Sequence, residues 1–414
     1  MTVPSSSHKS QRIILATFLS LLPAAFGPMV IAAMPSPLAE ANAEVDINQV
    51  VPTDGIPVSQ DPMGRVIYVD SNVGSDSNGG TIAAPVRTIT QAIATVSPGM
   101  VIQLAPGTYS AETGEQFPLE IPQGVTLRGS ESSRGEGIEI IGGGRFLSRT
   151  QAAQSVAIVL EEGASARGIT VSNPAIRGTG IWVEGVTATI ASATLSGSHR
   201  EGLFMAGSAN VTVQNSVFYK NGGNGIAVTK QSRGLISGNV FDSTGYGLAI
   251  GDQASPTLQN NRIINNRDGV IINGFAQPIL RGNTIENNEN DGVVVIGDAI
   301  PDLGSANSPG GNQIQGNGRN AVFNATRDQI PFPFYGNTID GPAPEQVVAV
   351  PTPIDSVAPA TVPATSSTND TIPAGGIIPV QENRPTGTPA NAPADSSENE
   401  SGGWANDGDG FFTP

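Results

Sequence analysis

The chain has 414 residues and carries 20 Lys and Arg against 36 Asp and Glu, which gives a formal net charge of −16. This acidic balance argues against nucleic acid and anionic membrane surfaces as general partners. Cysteine is absent, so disulfides, thiolate metal sites and cysteine nucleophiles are excluded. The length is typical of one or two folded units.

Residues 1–43 have the pattern of an export signal, in which a positive start is followed by an apolar stretch and then by small residues. The positive start consists of His8, Lys9 and Arg12. We expect cleavage before Glu44, with Ala39 as an alternative cleavage site. An uncleaved membrane anchor is the competing interpretation, but Pro23 and Pro28 interrupt the apolar stretch. The mature chain is therefore expected to be secreted, periplasmic or at the cell surface, with no stable membrane span.

The mature chain divides into three parts by composition. A short polar linker is predicted at 44–64, and a folded domain at 65–340. Residues 341–414 are acidic, rich in Pro, Thr, Ser and Ala, and have no sustained helix or strand period, so this tail is expected to be disordered.

The folded part contains an internal repeat that predicts its fold. Six similar segments each begin with a glycine followed by an apolar, variable, apolar triplet, which is strand alternation. These glycines are Gly180, Gly202, Gly225, Gly247, Gly269 and Gly292, at steps of 22 or 23 residues. A unit of three short strands cannot bury its own apolar face, so it must stack on its neighbours as a solenoid.

Each unit also carries an asparagine at a predicted corner. These residues are Asn215, Asn239, Asn261, Asn283, Asn312 and Asn337. Asparagine tolerates the left-handed backbone conformation, and its amide can bond to the same amide in the next coil. We therefore expect a structural ladder of stacked amides, whereas Asn266 is expected to be exposed.

The N-terminal part of the folded domain supports the solenoid prediction with three motifs, which lie at 68–81, 84–89 and 106–109. Together with Gly114–Pro122 and Gly124–Gly129, they resemble a secreted bacterial β-helix domain family of unknown function. The repeat itself resembles the right-handed parallel β-helix of pectate-lyase-like proteins. The resemblance covers about Val66 to Asp340 and implies an all-β, right-handed, single-stranded parallel β-helix solenoid with coils of about 22 residues.

Both ends of the solenoid need a cover, because an open end exposes core and unpaired strand edges. Apolar residues at helical spacing predict a short helix from Thr88 to Val96, with Thr88 as its cap. This helix would cover the first coil. The segment Pro331–Phe334 suggests an irregular closing coil at the other end.

The repeat register places a row of apolar side chains on the outer face of one sheet. The row consists of Trp182, Phe204, Ala227, Ala249, Ile271, Val294 and Phe323. An exposed apolar row suggests a binding surface, and Trp182 beside Phe204 could stack on sugar rings. In the β-helix enzymes that the chain resembles, this face commonly forms the polysaccharide groove. The alternative is that loops or the tail cover the row.

A weaker row of acidic residues precedes the triplet glycines and includes Glu201, Asp268 and Asp291. Calcium between Asp268 and Asp291 would neutralise their repulsion, so calcium is the one cofactor considered. Solvated turn carboxylates are the alternative, and no other cofactor is expected.

His199 is the only histidine after the signal, and the repeat alignment places it near Tyr219, Lys220 and Gly222. With Arg200, these side chains are of the kinds that polysaccharide lyases use. Surface turn residues are the alternative interpretation.

The sequence therefore predicts an envelope-associated or secreted β-helix protein that binds carbohydrate or another envelope component without catalysis. A polysaccharide lyase that uses His199, Tyr219, Lys220 and Arg200 is one alternative. A structural or adhesive spacer is another.

Overall fold

The computed structural model describes residues 66–342. The expected signal peptide, linker and almost all of the tail lie outside these residues. The described chain winds into an all-β parallel solenoid of about ten turns, with coils of about 23 residues. Within this part no helix is long and apolar enough to cross a membrane.

Three sheets run along the solenoid, and successive coils contribute neighbouring strands to each. Sheet 1 is formed by Leu119–Ile121, Ala153–Leu160, Gly178–Glu184, Leu203–Ala206, Asn224–Val228, Tyr246–Ile250, Asp268–Ile272, Val293–Gly297 and Val322–Thr326. Sheet 2 is formed by Val66–Val69, Val101–Leu104, Thr126–Arg128, Ala164–Arg167, Thr187–Ala191, Asn210–Gln214, Arg233–Ser237, Thr257–Gln259 and Ile279–Arg281. Sheet 3 is formed by Gly107–Ser110, Ile138–Ile141, Thr170–Ser172, Thr194–Ser196, Val217–Tyr219, Val240–Asp242, Arg262–Ile264, Thr284–Glu286, Gln313–Gln315 and Thr338–Ile339. One further strand, Gly144–Leu147, pairs antiparallel with the second strand of sheet 1.

The strand pattern follows from side-chain alternation. In sheet 2, Val211 and Val213 are buried while Thr212 between them is half-buried. In sheet 1, the pairing register stacks one inward aliphatic residue per coil. This column is Ile181, Leu203, Ile226, Leu248 and Val270, and each of these residues is 0% exposed. The predicted solenoid and the inward residues of its triplets are therefore confirmed.

An asparagine ladder runs along one corner. Each amide donates from Nδ2 to the Oδ1 of the next coil, at 3.0, 2.9, 2.9 and 2.8 Å in turn. Its members are Asn239, Asn261, Asn283, Asn312 and Asn337, as predicted.

The assignment of Asn215 to this ladder is wrong by one position. Ser216 occupies the ladder position, and its backbone N donates to Asn239 Oδ1 at 2.9 Å. Asn215 instead has a positive φ of 52°. The same left-handed position holds Gly238, Asn260, Gly282 and Gly311 in later coils. The residue before each ladder member therefore makes the sharp corner, and the ladder asparagine supplies only the hydrogen bonds.

A second ladder lies five residues further along each coil. Asn266 Nδ2 donates to Asn288 Oδ1 at 3.0 Å, and Asn288 Nδ2 donates to Asn317 Oδ1 at 2.8 Å. Thr244 extends the row through its backbone N, which donates to Asn266 Oδ1 at 2.9 Å. The expectation that Asn266 is exposed is wrong, since it is 1% exposed.

The N-terminal end of the core is closed by the helix Ile89–Ile93, shorter than predicted. Thr88 caps it by accepting a hydrogen bond from Gln91 N at 3.0 Å. Ile89 and Ala92 reach the core and are 0% exposed. Short 3-10 turns lie at Ala111–Thr113 and Arg327–Gln329. At the other end, Phe332 and Phe334 join the core, so the predicted closing coil is present.

Candidate functional site

The predicted outward row does lie on one face of sheet 1. Strand pairing aligns Trp182 with Phe204, and then each later member in turn. The row ends where Val294 pairs with Phe323. We call this set the apolar row: Trp182, Phe204, Ala227, Ala249, Ile271, Val294 and Phe323.

The expected open exposure of the apolar row is wrong for most of its length. Trp182 and Phe204 are 1% and 2% exposed, and Ile271 and Val294 are 6% and 7% exposed. Phe323, in the last strand, is 46% exposed. Only the distal end of the row therefore offers an open aromatic side chain among these predicted binding residues.

The Trp182 ring is covered by neighbouring side chains and is 1% exposed. The Phe204 ring is stacked on it with the centroids 4.1 Å apart and the planes 3° apart. Phe146 also packs against the ring, with the centroids 5.8 Å apart in a tilted arrangement, and Val159 is the strand partner of Trp182 in the preceding coil. A sugar ring therefore has no free face of Trp182 on which to stack.

Phe146 belongs to the antiparallel strand Gly144–Leu147. We call this strand and the following residues 148–152 the flap. Glu184 holds the flap in place, because its carboxylate accepts hydrogen bonds from Ser148 Oγ at 3.0 Å and Thr150 N at 2.6 Å. Trp182 Nε1 and Arg149 N also donate to it. Burial raises the pKa of Glu184, but these hydrogen bonds outweigh burial and leave the pKa below its usual range. The repeat period could not reveal the flap, since the flap interrupts that period.

A polar row runs beside the apolar row, at the start of the same strands. It contains Thr179, Glu201, Asn224, Tyr246, Asp268, Asp291 and Asn320, which successive coils place next to one another. Tyr246 also packs with Ile271 and Val294, so the two rows form one continuous strip.

Glu201 is the most buried acid in the polar row, at 2% exposure. Thr179 Oγ1 donates to its carboxylate at 2.8 Å, and Arg200 Nε lies 3.3 Å from Oε1. Burial raises the pKa of Glu201 above its usual range, against the attraction of Arg200 and the hydrogen bonds from Thr179 and Asn224. The sequence identified this acid, but its burial follows only from the packing.

Two buried polar atoms of the polar row are Asn224 Oδ1 and the Tyr246 hydroxyl, and neither has a close hydrogen-bond partner in the described part of the chain. Arg267 lies over the Tyr246 ring, with its Cζ 4.4 Å from the centroid, and it also interacts with the Tyr246 hydroxyl. Sequence reasoning missed both buried atoms, because residue type alone does not show the surroundings of a polar group.

Asp268 and Asp291 are adjacent, as predicted, but protein groups surround their carboxylates. Asp291 N donates to Asp268 Oδ1 at 3.2 Å, and Arg267 Nε lies 3.6 Å from Asp268 Oδ2. Asn320 donates twice to Asp291 Oδ1. Among residues 66–342, no group of three or more His, Asp or Glu could hold a metal ion. Hydrogen bonds therefore account for this pair of acids.

The residues of the lyase alternative lie near the corner that joins sheet 3 to sheet 1. His199 and Gly222 are stacked in adjacent coils, as the alignment predicted. His199 is exposed, and Lys220 Nζ lies 4.7 Å from the centroid of the Tyr219 ring. Arg200 points instead to Glu201. Lys220 thus contacts Tyr219, whereas Arg200 forms an ion pair with Glu201 of the polar row.

Comparison with solved structures finds similar folds at low sequence identity. The pectate lyase Pel9A is 16% identical with a TM-score of 0.46, and the match covers 68% of this chain and 79% of that chain. The complex of XylC with xylose is 11% identical with a TM-score of 0.46, covering 66% of this chain and 68% of the other. The A-module of the mannuronan C-5 epimerase AlgE6 of Azotobacter vinelandii is 16% identical with a TM-score of 0.33, covering 68% and 92%.

No curated protein matches the chain. One family model, described as "Protein of unknown function (DUF1565)", matches residues 72–345. The match spans almost the whole solenoid, from the segment before the capping helix to the end of the last coil. The chain belongs to the DUF1565 family of proteins of unknown function.

Proposed function

We propose that this protein binds carbohydrate on the outer face of sheet 1, without catalysing a reaction, in an extracytoplasmic location. The observation that carries the proposal is the strip itself, in which an apolar row and a polar row run side by side over successive coils. Saccharides present apolar C–H faces and hydroxyl edges, and binding sites for such ligands combine apolar walls with a few placed polar groups. The signal pattern of residues 1–43 supports the location.

The open distal part of the strip is the proposed contact region. Phe323 is the most exposed member of the apolar row, and it pairs in register with Val294. Asn320 lies beside them in the polar row and is exposed. A ligand that covers this part contacts an aromatic side chain and an amide together.

The spacing of the acids favours binding over glycoside hydrolysis. Asp268 lies three coils from Glu201 in the polar row. At about 4.8 Å per coil this is about 14 Å, whereas the two carboxyls of most glycosidases are roughly 5–9.5 Å apart. Glu201 therefore has no partner carboxylate in the row at a catalytic distance.

A glycan array probed with the full mature chain tests the proposal. Binding of at least one glycan class is expected, and Phe323→Ala should weaken it without loss of folding. Ile82→Ala is the matched control, because Ile82 is 75% exposed and lies in the N-terminal segment away from sheet 1. Absence of binding to every glycan would overturn the proposal. Release of unsaturated product, detected by ultraviolet absorbance, would replace it with the lyase.

A further inference from the structure

We infer that residues 347–350, which follow the described chain, add a strand to sheet 1 by pairing with the open edge of Val322–Thr326. The inference goes beyond the proposed function, because it assigns an occupant to the edge of the sheet and not to its outer face. It also moves the start of the predicted tail to after residue 350. Its basis is the open edge, the path of the chain up to residue 342, and the sequence that follows.

The distal edge of sheet 1 is open in the described chain. Its last strand, Val322–Thr326, pairs there only with the strand of the preceding coil. Val293 N in that coil donates to Ala321 O at 3.0 Å. Successive residues of a strand direct their backbone groups to opposite sides, so the groups of Val322 and Asn324 face the open side. An edge of this kind is a template for another strand.

The last described residues follow the path of the coil before them. Ile339 pairs with Ile314, 25 residues earlier, so Gly341 stands at the position of Gly316. Both glycines have a left-handed backbone, with φ of 82° at Gly341 and 66° at Gly316. The corner that turns the chain from sheet 3 towards sheet 1 is therefore already made at Gly341.

The distance from this corner to sheet 1 identifies the segment. Six residues lead from the corner to the aligned strand residue in each of the last two coils, from Asn287 to Val293 and from Gly316 to Val322. The same step from Gly341 reaches residue 347. Only residues 343–346 separate the segment from the described chain, and so short a connection favours this segment over a second copy of the protein at the edge.

The sequence of residues 347–350, Val-Val-Ala-Val, suits a short buried strand. In this register Val347 aligns with Val322, which points inward, and Val348 aligns with Phe323, so that Val348 extends the apolar row by one coil. Pro351 follows and lacks the backbone N–H that further pairing would need. Because an added strand lies in the plane of the sheet, the outer face of Phe323 stays open.

Val348→Pro in the full mature chain tests the pairing, because proline removes the backbone N–H of an alternate residue that faces the edge. Hydrogen exchange, resolved to single amides, should become about fivefold faster at Val322 and Asn324, the effect of one net hydrogen bond. The Val270 amide donates to Gly292 O at 2.9 Å inside sheet 1 and should exchange at the same rate in both chains.

Val357→Pro is the matched control, because it places the same residue in the tail outside the segment. It should leave exchange at the two edge amides unchanged. Equal exchange in the parent chain and Val348→Pro overturns the inference, and so does an equal effect of the two proline variants. Protection that falls on dilution and persists in Val348→Pro also overturns it, because a second copy of the protein would then occupy the edge.

Discussion

The rings of Trp182 and Phe204 lie parallel, with centroids 4.1 Å apart, in adjacent coils on the outer face of sheet 1. Stacked aromatic pairs of this kind add to stability beyond the area that they bury. Because the two rings lie in adjacent coils and Phe146 and Val159 pack against them, they are buried like core residues although they belong to a separate cluster on the outer face. The pair therefore stabilises the contact between two coils and does not offer an open surface to a ligand.

Trp182→Ala should destabilise the fold. We expect a loss of about 3–5 kcal/mol, the range for truncating a large buried aromatic side chain. Chemical denaturation followed by circular dichroism measures it. Phe323→Ala, in the same row but 46% exposed, serves as the control and should cost clearly less. Equal losses in the two variants would contradict the packing described for Trp182.

Both ladders should contribute to stability to a similar extent. Asn261→Leu removes the acceptor for the backbone N and Nδ2 of Asn239, and leaves Asn283 Oδ1 with the backbone N of residue 261 as its one remaining donor. Asn266→Leu does the same to Thr244 and Asn288. Each change should cost at least about 1–3 kcal/mol, because buried polar groups lose their partners. Exposed Gln259→Leu is the control and should stay within about 0.5 kcal/mol. A near-neutral Asn266→Leu would show that the second ladder is not formed.

Glu184 should make the free energy of unfolding depend on pH in the acidic range. Its folded-state pKa is lowered, so the carboxylate contributes stability that is fully present above its ordinary value of 4.5. That contribution is lost as the pH falls through the lowered pKa. Glu184→Gln should therefore be less stable than the parent chain at neutral pH, and the difference should shrink in acid. Melting curves between neutral and acidic pH measure this, and a constant difference would contradict the role of Glu184 as the anchor of the flap.

A chain that ends after residue 342 should keep the fold. The core is closed by Phe332 and Phe334, and Asp340 Oδ2 accepts a hydrogen bond from Gly316 N at 2.6 Å within that boundary. The β-type circular dichroism should be unchanged. The melting temperature should shift by less than about 2–4 °C, which corresponds to about 1 kcal/mol in a domain of this size. A larger fall would show that residues 343–414 stabilise the solenoid.

The sequence was sufficient for the solenoid because its signals are local and repeated. Gly202 and Gly225 precede the equivalent paired residues Leu203 and Ile226, and Asn239 and Asn261 mark equivalent corners. The error at Asn215 arose because two asparagine positions, one left-handed and one in the ladder, are adjacent in the coil.

The candidate site was less accessible to sequence reasoning. Alternation correctly placed Trp182 on the outer face but could not show that Phe146, from an insertion outside the repeat, packs against it. The burial of Asn224 Oδ1 without a close partner is likewise a property of its three-dimensional surroundings. The repeat period shows whether a side chain points into or out of the core. Its burial and hydrogen bonds depend on which other segment packs over that face of the sheet.

The two ladders also determine where a coil can change in length. Asn261 and Asn266 are five residues apart, and so are Asn283 and Asn288, and Asn312 and Asn317. The step from one coil to the next is nevertheless 22 residues between Asn261 and Asn283 and 29 between Asn283 and Asn312. Extra residues are accommodated in the rest of the coil, while the segment between the ladders keeps its length. New loops can therefore be grafted onto this scaffold outside the five-residue segment, whereas a single residue added within it would put one ladder out of register with the other.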